Sequence, residues 1–263
     1  MNRLRWRTEN SLRWLEGDAA AIRLAMFTRH GGMSGPPFAS LNLSYGVGDD
    51  PGKVAGNRDR VRATLGLEAL VSARQVHSDR IHLVSGPVEG TEIPGVDALI
   101  TDRPGIGLLI QQADCQAVLL HDPEQGAIGA IHSGWRGSVR NIIGRTVARM
   151  TEAFATDPSR LLAFVSPSLG PCCSQFVNHA LELPAAFARF RSGENHFNFW
   201  EISRWQLRRA GLRAENITIA GICSRCSRDF FSFRRAKGEN NGITGRNGSV
   251  IMLLPPGEGT GVP

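Results

Sequence analysis

The 263-residue chain has one tyrosine, an odd five cysteines and no apolar run long enough to span a membrane. A bilayer-crossing helix needs roughly 20 mostly apolar residues, whereas "GLLI" and "AVLL" are strand-sized, so no membrane partner is expected. The net charge of +6 and the basic isoelectric point near 9.6 suit anionic ligands. The arginines are nevertheless dispersed, with neither the clustered stripe nor the interleaved aromatics of a nucleic-acid binder, and no nucleic-acid partner is expected. The opening "MNRLRWRTENSLRWLEG" carries positive charge with no apolar segment behind it. A secretory leader is therefore not expected, and a cytoplasmic location is.

Without secretion a disulfide framework is not expected either. "CSRC", from Cys223 to Cys226, has the spacing of a zinc or redox pair. No second Cys-x-x-Cys completes a zinc ribbon, so Cys172, Cys173, Cys223 and Cys226 read more simply as packed thiols. The chain also lacks internal repeats and low-complexity linkers. Its glycines and prolines are scattered, which suits many short connections within one compact unit.

What is present is mainly strand-like. "SARQVH" and "RIHLVS" flank a break at Ser78 and Asp79, and "DALIT" and "IGLLIQ" follow. "QAVLLHD" and "GAIGAIHS" enclose "PEQG", a loop rich in turn formers that predicts a hairpin. From Ser138 the period changes: Val139, Ile142, Ile143, Val147, Met150 and Phe154 recur at helical spacing. This predicts a helix just after "SGWRG", with Ser133 or Ser138 as N-cap. "LLAFVSPSLG", "ITIAGIC" and "SVIMLL" read as further strands, and "NHALELPAAFARF" and "SRWQLRRAG" as helices. Strands and helices do not alternate strictly, so the expected class is α/β with mixed sheets rather than a doubly wound parallel sheet. The tail, about 255–263, has no periodicity and is expected to fray.

His77, Cys115 and His132 each follow an apolar run and precede small or polar residues. Strand ends are where side chains leave the core and can converge. Two imidazoles and a thiolate make a zinc set with one coordination position left open, as catalytic zinc requires. Read singly, each has an ordinary alternative as a buried thiol or a hydrogen-bonded histidine, and spacing leaves both readings open. Arg136, in "HSGWRGS", combines a planar cation with a predicted helix N-terminus that favours anions; a plain surface arginine is the competing reading.

The runs "TRHGGMSGPPFASLNLSYGVGDDPGKVAGNR", "RQVHSDRI", "VDALITDRPGIGLLIQQADCQAVLLHD", "GAIGAIHSGWRGSVRNIIGRTV", "VSPSLGPCC" and "FFSFRRAKGENNGITGRNGSVIML" together resemble the laccase-domain family, also described as polyphenol-oxidase-like or peptidoglycan editing factor proteins. The likeness runs from about Met26 to Leu253. It implies a single α/β domain over 1–263 with layered mixed sheets flanked by helices. It also implies zinc bound by the histidine of "QVH", the cysteine of "ADC" and the histidine of "HSGWRG", which are His77, Cys115 and His132. The implied activity is phosphorolysis of the purine nucleosides adenosine, inosine and methylthioadenosine, with adenosine deamination as a second activity. Cell-wall precursor editing and copper-dependent phenol oxidation are the alternatives described for the family.

The resemblance further assigns Arg29, Arg136 and the "SGWRG" segment with Ser133 to phosphate, and places Asn42, Asn57, Arg58, Gly245 and Arg246 near the pocket. Asp114 is a candidate carboxylate or proton carrier, with a turn-forming role as the alternative. The expected partners are thus a purine nucleoside and phosphate, on a monomer. The chain departs from the family pattern at Gln116, where proline is common, at Ser174 and Gln175 after "GPCC", and at Asn198, where aspartate is usual. Neither the His-x-Glu of cytidine-deaminase-type zinc sites nor the repeated His-x-His pairs of a multicopper centre is present.

Overall fold

The computed structural model describes residues 3–17, 19–86 and 92–255. The part of the expected flexible tail beyond Pro255 lies outside the described residues. In chain order the elements are β1 (Leu4–Glu9), β2 (Leu12–Gly17), β3 (Ile22–Phe27), α1 (Pro51–Leu65), β4 (Ala69–Arg74), β5 (Ile81–Leu83), β6 (Ile93–Pro94), β7 (Ala98–Thr101), β8 (Ile106–Gln112), β9 (Gln116–Asp122), β10 (Ala127–Ser133), α2 (Trp135–Val139), α3 (Ile142–Phe154), β11 (Leu162–Val165), α4 (His179–Glu182), α5 (Phe199–Arg209), β12 (Ile217–Ile219), α6 (Phe233–Glu239) and β13 (Asn247–Leu253). Among the described residues no helix is long and apolar enough to cross a membrane.

Two mixed sheets pack face to face. The larger runs β1-β2-β3-β13-β8-β4-β6 and the smaller β12-β11-β9-β10-β7-β5. In the larger, β4 lies parallel to β8 and β6; in the smaller, β5–β7 and β11–β12 are parallel. The remaining pairs are antiparallel, including the predicted β9–β10 hairpin. Its "PEQG" turn is held by Asp122 Oδ1, which accepts from the N–H groups of Glu124 and Gln125.

Successive strand residues point to opposite faces. Leu119 and Ala117 of β9 therefore meet Leu108, Ile110 and Ile251 between the sheets. Val118 and Leu120 point outward, under Ile143, Val147 and Met150 of α3 and Leu207 of α5. On the far side α1 covers the larger sheet through Val61 and Leu65. With both faces covered, β8, β9, β10 and β13 are buried at every position. That accounts for their near-continuous apolar runs, which strict alternation would not give.

The helix expected after "SGWRG" is present but broken in two. Neither predicted serine caps it: Gly134 stands at the N-cap of α2 and Asn141 at that of α3. The Ser133 and Ser138 hydroxyls bond each other in the interior instead, 3.2 Å apart. Asn141 adopts a left-handed conformation (φ 56°) and its side chain accepts from the Gly144 N–H. A residue at positive φ cannot continue a right-handed helix, so the axis changes there. The predicted helix over 178–190 is likewise divided, with α4 followed by a 3-10 turn at Ala185–Phe190, because Pro184 denies the backbone an N–H between them.

Candidate active site

Three times the chain leaves the larger sheet and crosses to the smaller at the same end: from β4 to β5, from β6 to β7, and from β8 to β9. The first crossing carries His77, the second Asp97 and the third Asp114 and Cys115. His132 meets them from the last turn of β10 before α2. The ligand atoms of His77, Cys115 and His132 all lie within 4.8 Å of one another. Cys115 Sγ is 3.8 Å from His77 Nε2, and the two imidazoles meet edge to face with centroids 4.8 Å apart. The structure thus brings the three side chains together, although His77 sits in a turn three residues beyond β4 rather than on the strand.

That turn is shaped by a residue sequence reasoning missed. Asp97 is completely buried. Its carboxylate accepts from the backbone N–H groups of Val76, His77 and Ser78, at 3.2, 2.9 and 2.7 Å, and from the Ser78 hydroxyl. Three successive N–H groups around one anion form a nest, which holds His77 at its left-handed φ of 59°. The other side of the carboxylate lies 2.8 Å from His132 Nδ1, leaving Nε2 to face Cys115. Burial works to raise the Asp97 pKa, but the His132 hydrogen bond and charge, followed by the Ser78 donors, outweigh it and hold the group well below the usual carboxylate range. The available signal was "GVDALIT", in which an acid directly precedes a strand buried at every position.

Burial opposes the Cys115 thiolate too, yet the charge and hydrogen bond of His132, then those of His77, bring its pKa down. His132 is shifted upward against its own desolvation by Cys115 and Asp97. A thiolate beside an imidazole whose far nitrogen is fixed by a carboxylate is the donor chemistry of a zinc site. Gly134 keeps the space open: a Cβ there would lie 2.9 Å from both Cys115 Sγ and His77 Cδ2. The residues present fit the metal.

The triad separates two lobes of a cleft. One, about 550 Å³, is walled by Trp135, Phe176 and Phe199, with Arg136, Arg234 and Lys237 at its edge; the Phe176 ring lies tilted against Phe199 with centroids 5.2 Å apart and meets Trp135 edge to face at 6.2 Å. The other, about 450 Å³, contains Arg74, Gln75, Glu92, Gln111 and Arg246. His77 and Cys115 line both. Arg136 lies exposed over the Trp135 ring at 4.3 Å, and Ser133 lines the aromatic lobe. Asp114, at φ 86°, uses both carboxylate oxygens, one for the Ser224 hydroxyl and one for the Arg234 N–H.

Arg29 and Asn42 are not brought to the cleft walls. Arg29 donates to Ala39 O and stacks on Phe231 at 4.6 Å, lining a separate cavity of about 170 Å³ beside Arg235. Asn42 is buried and spends its amide on Ser44 O and Asp49, and its carbonyl on the N–H groups of Ser44 and Arg246. Asn57 and Arg58 are interior framework, Arg58 pairing with Glu92 at 2.7 Å. Arg246, by contrast, does reach the cleft, its backbone set by Asn42 and its guanidinium by Thr244 O and Gly245 O.

The departures from the family pattern have local uses. Gln116 bonds Phe199 O and the Ser203 hydroxyl, tying β9 to α5. Asn198 caps α5 by accepting from the N–H groups of Trp200 and Glu201.

The chain belongs to the family whose model is described as multi-copper polyphenol oxidoreductase laccase, which matches residues 23–254. Among its relatives, a purine nucleoside phosphorylase of Deinococcus radiodurans is 39% identical, covering 94% of this chain and 95% of its own. Purine nucleoside phosphorylase YlmD of Geobacillus stearothermophilus is 34% identical, over 89% of this chain and 92% of its own. The crystal structure of YlmD from that organism superposes with a TM-score of 0.85 at 32% identity, covering 95% and 99% of the two chains. A Bacillus licheniformis protein, YfiH, gives 0.83 at 31%, covering 94% and 98%.

Proposed function

We propose that the cleft carries out zinc-dependent phosphorolysis of purine nucleosides (adenosine, inosine and methylthioadenosine) and, as a second activity, deaminates adenosine. The observation that carries the reading is the His77–Cys115–His132 triad, with Asp97 behind it, set between an aromatic lobe and an arginine-bearing lobe. The names of the relatives support the phosphorolysis in this reading.

In phosphorolysis a phosphate oxygen bonds to C1′ of the ribose as the bond from C1′ to the purine nitrogen breaks. The electron pair leaves with the base, which takes up a proton, and ribose 1-phosphate and free purine result. In deamination water replaces the C6 amino group and ammonia leaves. Zinc, when held by His77, Cys115 and His132, supplies Lewis acidity at the point where the lobes meet. Trp135, Phe176 and Phe199 offer flat apolar faces to the purine and exclude water from one side of the ribose. Arg246, half-buried, holds the phosphate, with Arg136 at the cleft mouth as a second cation whose flat fork matches phosphate oxygens. Asp114 fixes the turn that presents Cys115. The two imidazoles and one thiolate of the triad suit zinc with one position left open, and the sequence lacks the repeated His-x-His pairs of a multicopper centre.

The test is incubation of metal-quantified protein with adenosine, with and without phosphate. The expected products are adenine and ribose 1-phosphate only when phosphate is present, with some inosine in either case. Adenine release indifferent to phosphate would overturn the reading, as would inert nucleosides alongside oxygen uptake with a phenol or cleavage of a cell-wall precursor.

A further inference from the structure

Cys172, Cys173, Cys223 and Cys226 take no part in the chemistry above, yet their four sulfurs lie within 4.8 Å of one another. Cys226 Sγ is 3.5 Å from Cys173 Sγ and 3.7 Å from Cys172 Sγ. Four sulfurs placed tetrahedrally about 2.3 Å from a zinc ion stand roughly 3.8 Å apart. We propose that these four thiols form a second, structural zinc site that clamps together the two loops they belong to.

The loops are already held in place by other bonds. In the first, the N–H groups of Cys173 and Ser174 both donate to Gly170 O. In the second, the Ser227 N–H closes on Cys223 O at 2.9 Å. The buried Arg235 guanidinium draws in the carbonyls of Ser224, Arg225 and Ser227. The loops then join side by side, Ser168 N–H to Ile222 O and Ser224 N–H to Ser168 O. Gly170 lets them press together: a Cβ there would stand 3.0 Å from Cys223 Cβ and 2.9 Å from the Trp200 ring. Arg225 Nη1 lies 3.5 Å from Cys173 Sγ, a cationic donor of the kind that the doubly negative zinc tetrathiolate needs around it.

Binding is not redox chemistry. One Zn²⁺ replaces four thiol protons, which pass to solvent, and no electrons move. With two exposed thiols the ion can load from solution, and with no open position it does not catalyse. The clamp reaches the cleft through Ser224, whose hydroxyl donates to Asp114 next to Cys115 at 2.7 Å, and through Ser174 and Gln175 on the aromatic lobe.

The test uses the full chain purified without chelator. Wild-type protein is expected to carry two zinc ions, and the Cys115→Ala variant one. Loaded with cobalt, that variant should show the intense charge-transfer absorption of a four-sulfur ligand set, and Cys226→Ser should lose it. Should Cys226→Ser fail to fold, alkylation of the Cys115→Ala protein decides: its four remaining thiols should react slowly until a chelator is added. A metal-free Cys115→Ala protein, thiols alkylated at one rate with and without chelator, or disulfides among the four under those conditions would overturn the site. None of these readouts depends on nucleoside turnover, so failure of the clamp and failure of the proposed activity are distinguishable.

Discussion

Asp97 is the residue on which the geometry of the triad depends most. Its carboxylate both orients His132 and gathers the N–H groups that turn His77 inward. Asp97→Asn keeps the shape but directs an amide at groups that donate, and removes the charge facing His132. Metal affinity at the triad should fall by about 10–100-fold, measured by chelator competition on the Asp97→Asn protein, with an unchanged affinity contradicting the role. His121 offers a second residue-scale prediction, remote from the metal. Both its ring nitrogens are buried without a hydrogen-bond partner, and burial, opposed by Asp122, pushes its pKa down to about 4. The unfolded chain binds this proton near pH 6.5 and the native chain does not, so acidification through that window favours unfolding. The loss is on the order of 3 kcal/mol between pH 6.5 and 4. His121→Leu should remove this component, read from denaturant unfolding at pH 7 and pH 4.5; an equal pH dependence in both proteins would refute the assignment.

Among the elements, α5 shows how a departure from the family pattern can be silent. Its N-cap is Asn198, whose side-chain oxygen accepts from two of the otherwise unpaired N–H groups of the first turn. Asn198→Ala should cost about 1 kcal/mol of stability, whereas Asn198→Asp should hold or slightly raise it, because a carboxylate also meets the positive end of the helix dipole. Thermal unfolding of the two variants distinguishes capping from a role in substrate preference. The helical run from Val139 to Phe154 was legible because its apolar residues repeat at the α period. Its break at Asn141 was not, since nothing in the composition marks one left-handed residue. The N-terminal strands β1 to β3 and α1 also passed unread. β1 is largely exposed, and α1 buries only a few apolar side chains, so neither gives a clear period.

At the scale of the whole molecule, each proposed metal ion ties segments distant in sequence, and ligand binding to the native state alone stabilises it by mass action. Zinc at 100-fold above its dissociation constant contributes about 2.7 kcal/mol per site. For a chain of this size that corresponds to a rise of roughly 5–10 °C in melting temperature. Calorimetry of zinc-loaded and chelator-treated protein should show this shift; equal melting temperatures would mean that neither cluster binds zinc in the native state. The layer between the sheets makes a complementary prediction. Leu119→Ala removes a fully buried side chain from it and should cost 2–5 kcal/mol while the folded protein keeps its wild-type zinc content, checked by denaturant unfolding and metal analysis.

Local chemistry along the chain was enough to determine the strand-rich middle, the β9–β10 hairpin and the mixed α/β class; it nominated His77, Cys115 and His132 but left their meeting open, and the family resemblance implied it. Periodicity and turn composition act over a few residues, and His77, Cys115 and His132 stand at boundaries such patterns reveal. Only the tertiary structure decided that Asp97 backs the triad, that Arg29 is held away from the cleft, and that four cysteines from two loops gather at one point. Those outcomes depend on where the chain crosses between two sheets and on how its loops pack side by side. Contacts of that kind join residues far apart in the chain, and no short-range pattern records them.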